Sequence, residues 1–224
     1  MSDIKAVLLD VDNTLLDFPA SAKEAAFAAA VELGYELPED LMDHFEPINN
    51  GLWEAIERKE LTIAGLREVR WNRIFEAVGF EGNGPLFEDT FRKYLNRAAV
   101  PVEGAKELVT YLNGKYMLAI ATNGPTGQQK DRLTIAGLWE EGMLLLSSEA
   151  AGCSKPDPRF FAFCLERLRP LSPAEIVMIG DSQTADIEGA AAAGIRTCRV
   201  DLFEERHGPC DWRVRSLQEL QEIF

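Results

Sequence analysis

The sequence predicts an α/β protein, a parallel sheet core interrupted by an all-helical insertion. Two observations carry this. From Val100 onward, short and almost wholly apolar runs alternate with helical patterns, and one more run of the same character stands alone near the start. Between that first run and the rest lies Phe18 to Asn96, which has helical periodicity and no convincing strand.

The first element, IKAVLLD, is apolar on both alternating faces, as a strand buried in a parallel sheet must be. The insertion opens with SAKEAAFAAAVELG, a helix that Gly34 should stop. LPEDLMDHFEPINNGLWEAIERKE, TIAGLREVRWNRIFEAVG and PLFEDTFRKYLNRAA supply further helices, with Pro and Gly expected at the joints. The sheet then resumes. The strands YMLAIAT (116–122), MLLLS (143–147), EIVMIGD (175–181) and IRTCRV (195–200) are interleaved with the helical stretches EGAKELVTYL, TGQQKDRLTIAGL, DPRFFAFCLERL and TADIEGAAAAGI. Such alternation reads as βαβ units. Leu217 to Phe224 is expected to close the chain as a helix. The expected organisation is a Rossmann-like core from residues 1–17 and 97–224 with a helical cap over 18–96. An insertion placed directly after the first strand suggests a lid over the carboxyl ends of the strands, where ligands of open α/β sheets bind.

A chain of 224 residues is long enough for one core carrying a modest insertion. No apolar run is long enough to cross a bilayer. The apolar stretch Ala6 to Leu9 is too short for a secretory signal, so the expected compartment is the cytoplasm. The net charge of −14 argues against a nucleic-acid polymer or an anionic membrane as partner. A small phosphorylated metabolite remains compatible, because a bound cation inverts the local field. Cys153, Cys164, Cys198 and Cys210 form no CxxC pair and no zinc-like spacing with His44 and His207, and are read as free thiols.

The chemistry-bearing residues stand at strand exits. Asp10 and Asp12 of DVDNT, at i and i+2 of an extended chain, can address one pocket. A strand-end turn with aspartates bonded to the backbone explains that motif equally well. Asp181 follows IVMIG, and Asp186 lies in the first turn of the next helix, where capping is an alternative explanation. Asp10, Asp12 and Asp181 nonetheless converge on one sheet edge, where crowded carboxylates require protons or a cation. Oxygen-only ligands point to a hard ion such as Mg²⁺. Thr122 and Asn123 of ATNG offer a hydroxyl and amide donors to an anionic oxygen, or cap a helix. Lys155 of CSKPDPRFF comes from a loop at the same edge and would neutralise phosphoryl charge.

DVDNT, ATNG, SKPDPRFF and GDSQTADIEGAAAAGI, in this order and spacing, resemble the haloacid dehalogenase-like hydrolase superfamily along nearly the whole chain. The resemblance implies Asp10 as nucleophile and Asp12 as general acid/base, with Thr122 and Lys155 binding the phosphoryl group. It implies Mg²⁺ held by Asp10, the backbone carbonyl of Asp12, and Asp181, with Asp186 in support. The insert occupies the position of the superfamily's helical cap. Within the superfamily, PINNGLWEAIERKELTIAGLREVRWNRIF, with Asn49, Trp53, Leu66 and Arg70, is similar to the cap of bacterial pyrimidine 5′-nucleotidases of the YjjG type. It is also somewhat similar to that of N-acylneuraminate-9-phosphatases. Trp53 and Trp71 fit core packing better than substrate contact.

The implied function is therefore a Mg²⁺-dependent phosphatase working through a phosphoaspartate, with a small pyrimidine nucleoside monophosphate as substrate. Competing readings are a phosphatase of N-acylneuraminate 9-phosphate or phosphoglycolate, a 2-haloacid dehalogenase, a hexose-phosphate mutase, and a catalytically silent binding protein. Asp12 and the acidic GDSQTAD favour phosphoryl chemistry over dehalogenation, and idle buried charges are costly for a silent protein.

Overall fold

The computed structural model describes residues 3–203 and 207–224. Six strands, all paired in parallel, form one sheet in the order β3-β2-β1-β4-β5-β6. They are β1 (Ala6–Leu9), β2 (Met117–Thr122), β3 (Leu144–Ser147), β4 (Ile176–Gly180), β5 (Arg196–Val200) and β6 (Trp212–Val214). Alternate side chains of each central strand enter opposite cores. Val7, Leu9, Leu118, Ile120, Val177 and Ile179 pack on one face with Leu108, Leu112 and Leu133. Ala6, Leu8, Ala119, Ala121, Ile176 and Met178 face the other way, against Phe160, Phe161 and Cys164. Burial on both faces is why these strands read as continuous apolar runs.

The crossover helices are α5 (Ala105–Asn113), α6 (Thr126–Ile135), α7 (Ser148–Ala151) and α8 (Pro158–Arg167). A π-helical stretch, Gln183–Glu188, runs into α9 (Gly189–Ala192), and α10 (Leu220–Ile223) ends the chain. Asp157 starts α8 by accepting a hydrogen bond from Arg159 N–H at 3.0 Å, with Pro158 as the first helical residue. β1 lies at the centre. The chain leaves it toward β2 on one side and returns to β4 on the other, so the strand order reverses around β1, which is where such sheets hold ligands.

Phe18–Ala98 is a compact unit of its own, and Met1–Asp17 with Ala99–Phe224 is the other. The helical unit contains α1 (Phe18–Leu33), α2 (Leu41–Glu57), α3 (Ile63–Ala77) and α4 (Gly84–Leu95). Gly34, at φ 69°, follows α1 in the left-handed region that favours glycine. Thr62 and Asn83 cap α3 and α4 by accepting from Gly65 and Leu86 N–H, each at 3.0 Å. Pro47 and Gly51 lie inside α2, which runs through both, within the stretch expected to be helical. An interior proline costs a helix about 3 kcal/mol. Here Leu41, Phe45, Asn49 and Leu52 hold one buried face across it.

The core of this unit is aromatic. Trp71 is buried among Phe45, Phe75, Phe87 and Phe91, with ring centroids 4.3–5.7 Å away. Beside it, the Arg70 guanidinium donates twice to Glu88, at 3.0 and 2.7 Å, and once to Asn49 Oδ1 at 3.0 Å. All three residues are buried. Asn49 and Arg70, which carried part of the nucleotidase resemblance, thus form an ion-pair network inside the helical unit. Among the described residues, no helix is long and apolar enough to cross a membrane. The four cysteines are free.

Candidate active site

The register of β1 brings Asp10 to the carboxyl edge, one residue beyond the Leu9 pairings with Ile120 and Ile179. Its backbone N–H still donates to Ile179 O at 2.9 Å, so the ladder holds the residue while its side chain leaves the sheet. The chain then turns sharply. Asn13 takes a positive φ of 62° and donates through its N–H to Leu16 O at 2.7 Å.

Lys155 arrives from the loop before α8 and is buried with its charge. Its Nζ donates to Asp10 Oδ1 at 2.7 Å, Asp186 Oδ1 at 2.6 Å and Ala121 O at 2.7 Å. An ammonium has three donors, so all are engaged and its charge is what it offers a ligand. Asn123 fixes the loop: its side chain donates to Lys155 O at 3.1 Å and accepts from Lys155 N–H at 2.8 Å. The Asn123 amide, expected to face an anionic oxygen, is directed to the Lys155 backbone. Thr122 Oγ accepts from Gly124 N–H at 3.0 Å and from Gln129 Nε2 at 3.1 Å. Both bonds use its lone pairs, so its proton is the part available to a ligand oxygen.

Asp186 is buried. Besides Lys155 it accepts from Ser182 N–H through Oδ2 at 3.0 Å. Ser182 itself caps the following helix, accepting from Ala185 N–H at 3.0 Å, and so shapes the loop that begins with Asp181. Each of Asp10, Asp181 and Asp186 offers an oxygen, and these oxygens lie within 4.8 Å of one another. Burial pushes the Asp10 carboxyl well above the usual range, and the Asp186 and Asp181 carboxylates add to this while Lys155 opposes it. For Lys155, burial works against the charge, but Asp10 and Asp186 outweigh it and raise the pKa.

The Asp12 carboxylate is outside that cluster. Its Oδ1 accepts from Arg132 NH1 at 2.7 Å and its Oδ2 from Gln129 Nε2 at 2.8 Å. Neither Gln129 nor Arg132, both on α6, was singled out by the sequence reading. The three-residue spacing on a helix was the available signal, but it does not say that an arginine turns inward.

Three carboxylates around one ammonium leave an excess of negative charge. The all-oxygen donor set therefore fits a hard divalent cation. Asp10 and Asp181 would hold it. Both Asp186 oxygens have protein donors, which suits support from behind.

The chain matches the haloacid dehalogenase-like hydrolase family over residues 4–194 and belongs to it. Among curated relatives it is 34% identical to the pyrimidine 5′-nucleotidase PynA of Streptococcus pneumoniae, covering 98% of this chain and 94% of that one. It is 28% identical to the pyrimidine 5′-nucleotidase YjjG of Escherichia coli, covering 97% and 96%. Among solved structures, the HAD-hydrolase YfnB of Bacillus subtilis, bound to magnesium, matches with a TM-score of 0.92 and 31% identity over 99% of both chains.

Proposed function

We propose that this hydrolase is a magnesium-dependent phosphatase that forms a phosphoaspartate on Asp10 and acts on small pyrimidine nucleoside 5′-monophosphates. The observation that carries the chemistry is the buried Asp10, held by Lys155 beside Asp181 and Asp186 at the point where the strand order reverses. Support for the substrate comes from relatives named as pyrimidine 5′-nucleotidases that align over nearly their whole length. Residues 1–17 and 99–224 are assigned as the catalytic core and the helical unit, 18–98, as a cap that selects the substrate. The cytoplasm is the assigned compartment.

In this reading Lys155 holds Asp10 Oδ1, and Oδ2 attacks phosphorus in line. The bond from phosphorus to the ester oxygen breaks, and its electron pair leaves with that oxygen, which takes a proton from Asp12. Water then attacks the phosphoaspartate. Its proton passes to Asp12, and the Asp10–phosphorus bond breaks with its electrons returning to the carboxylate. The Thr122 hydroxyl donates to a phosphoryl oxygen throughout, and the Lys155 charge offsets repulsion between Asp10 and the dianion. Mg²⁺ held by Asp10, the Asp12 carbonyl and Asp181 would supply further charge neutralisation.

The phosphate site is generic, so preference must come from contacts to base and ribose. A pocket that accommodates or lacks one methyl discriminates by only about 10- to 200-fold, so dUMP and dTMP should both be accepted. The test compares kcat/KM for dUMP and dTMP with dAMP, N-acetylneuraminate 9-phosphate, phosphoglycolate and 2-chloropropionate, with and without Mg²⁺. The pyrimidine nucleotides should lead by about 10-fold or more. Faster turnover of either non-nucleotide phosphate would overturn the substrate, and chloride release after chelation would overturn the chemistry.

A further inference from the structure

Asp12 is held by two residues that the reaction described above does not use. Arg132 is almost wholly inaccessible, at 1% exposure, and Gln129 equally so, whereas the Asp12 side chain is 32% exposed. Arg132 NH1 donates to Asp12 Oδ1 at 2.7 Å and to Gln129 Oε1 at 3.1 Å. The Gln129 amide donates through Nε2 to Asp12 Oδ2 at 2.8 Å and to Thr122 Oγ at 3.1 Å. Both hydrogens of that amide and its oxygen are thereby used. Arg132 meets Asp12 from the buried side, and a buried amide with every position engaged has nothing left to offer a substrate. What the pair does reach is the carboxylate of Asp12, one bond to each oxygen, and the hydroxyl of Thr122.

Position on α6 explains how one helix does this. Gln129 and Arg132 are three residues apart and so share a face. The approach is close enough that a Cβ on Gly124 would lie 2.4 Å from Gln129 Nε2, so the turn between β2 and α6 admits the amide only because residue 124 is glycine.

We propose that Gln129 and Arg132 are positioning residues for Asp12, fixing its carboxylate against the phosphoryl-binding Thr122 so that it meets the leaving oxygen. The inference rests on the phosphatase reading. In the step concerned, the proton moves from Asp12 to the ester oxygen as the phosphorus–oxygen bond breaks. Misplacing a catalytic group by about 1 Å costs up to roughly 100-fold in rate. Only substrates whose leaving oxygen needs that proton should suffer in the first step.

The experiment follows first-turnover release of the leaving group from dUMP, a poor alkoxide leaving group, and from p-nitrophenyl phosphate, whose aryl oxide leaves unprotonated. Arg132→Met, Arg132→Lys and Gln129→Met are compared with wild type and Asp12→Asn. Arg132→Met and Gln129→Met should lose about 10- to 100-fold on dUMP with KM within about threefold, and far less on the aryl ester. Arg132→Lys should recover part of the loss by keeping the charge. Equal losses on both esters, wild-type release from dUMP, or unfolding of both methionine variants would each overturn the assignment; the last would make the pair a prop of the fold. If wild type releases phosphate from neither ester, the phosphatase reading falls instead. If Asp12→Asn is inactive on dUMP while both methionine variants match wild type, only the present inference falls.

Discussion

Asp10 has conflicting surroundings. Lys155 favours its charge, while burial and two neighbouring carboxylates oppose it. Its removal should therefore cost catalysis far more than stability. Asp10→Asn should lower kcat by roughly 1,000-fold or more, because an amide is a poor nucleophile of the same size. Lys155 keeps Asp186 as a charge partner, so Tm should stay within about 4 °C, the equivalent of about 1 kcal/mol for a chain of this length. Phosphate release and calorimetry on the purified variant check both halves. A folded Asp10→Asn protein with wild-type release would remove Asp10 from the chemistry. Asn123 shows the same economy at the next residue outward. Its side chain brackets the backbone of Lys155, so Asn123→Ala should act by loosening that loop.

At the scale of the element, β4 must end in glycine. A Cβ at Gly180 would meet Asp186 Oδ2 at 2.2 Å and its Cγ at 2.5 Å. Gly180→Ala should therefore displace the Asp186 carboxylate from Lys155. Overpacking of this kind costs about 1–3 kcal/mol, and activity should fall along with Tm. An activity loss at unchanged Tm would mean that the alanine is absorbed without overpacking. The strands β1 to β5 are legible in the sequence because each is buried on both faces, and Asp10, Thr122 and Asp181 are legible because an apolar run stops at them. β6 is not: Trp212–Val214 is a short edge strand whose Arg213 is exposed, with Val214 buried in the core and Trp212 only partly buried against it. The closing helix is legible in place but shorter than Leu217 to Phe224, spanning Leu220–Ile223. Gln129 and Arg132 escape for another reason. TGQQKDRL reads as a polar surface pattern, and the partner that draws two polar side chains inward is Asp12, far away in sequence.

At the scale of the whole molecule, two units with separate cores should respond differently to a cation. If Asp10 and Asp181 hold Mg²⁺ as proposed, the ion should stabilise the unit that contains them, by about 2.7 kcal/mol at a hundred times its Kd. That corresponds to a rise of about 5–10 °C in the sheet unit's transition, with the helical unit's transition unmoved. Calorimetry with and without Mg²⁺ reads this directly, and Asp181→Asn should abolish the shift. A shift that survives in Asp181→Asn would place the cation elsewhere.

The central place of β1 also governs the order in which the chain can assemble during synthesis. Ala6 pairs with Met117 on one side and with Ile176 on the other. At about 5–20 residues per second, a ribosome takes roughly ten to thirty seconds to go from the first of these residues to the last. All of Phe18–Ala98 emerges within that interval, and its aromatic core needs nothing made later. The apolar strand that ends in Asp10 is translated well before either of its neighbours, yet it is sealed on both edges only after β4 has left the exit tunnel. Until then AVLL is an unpaired, uncharged edge, so it is the segment a nascent-chain chaperone has most reason to shield.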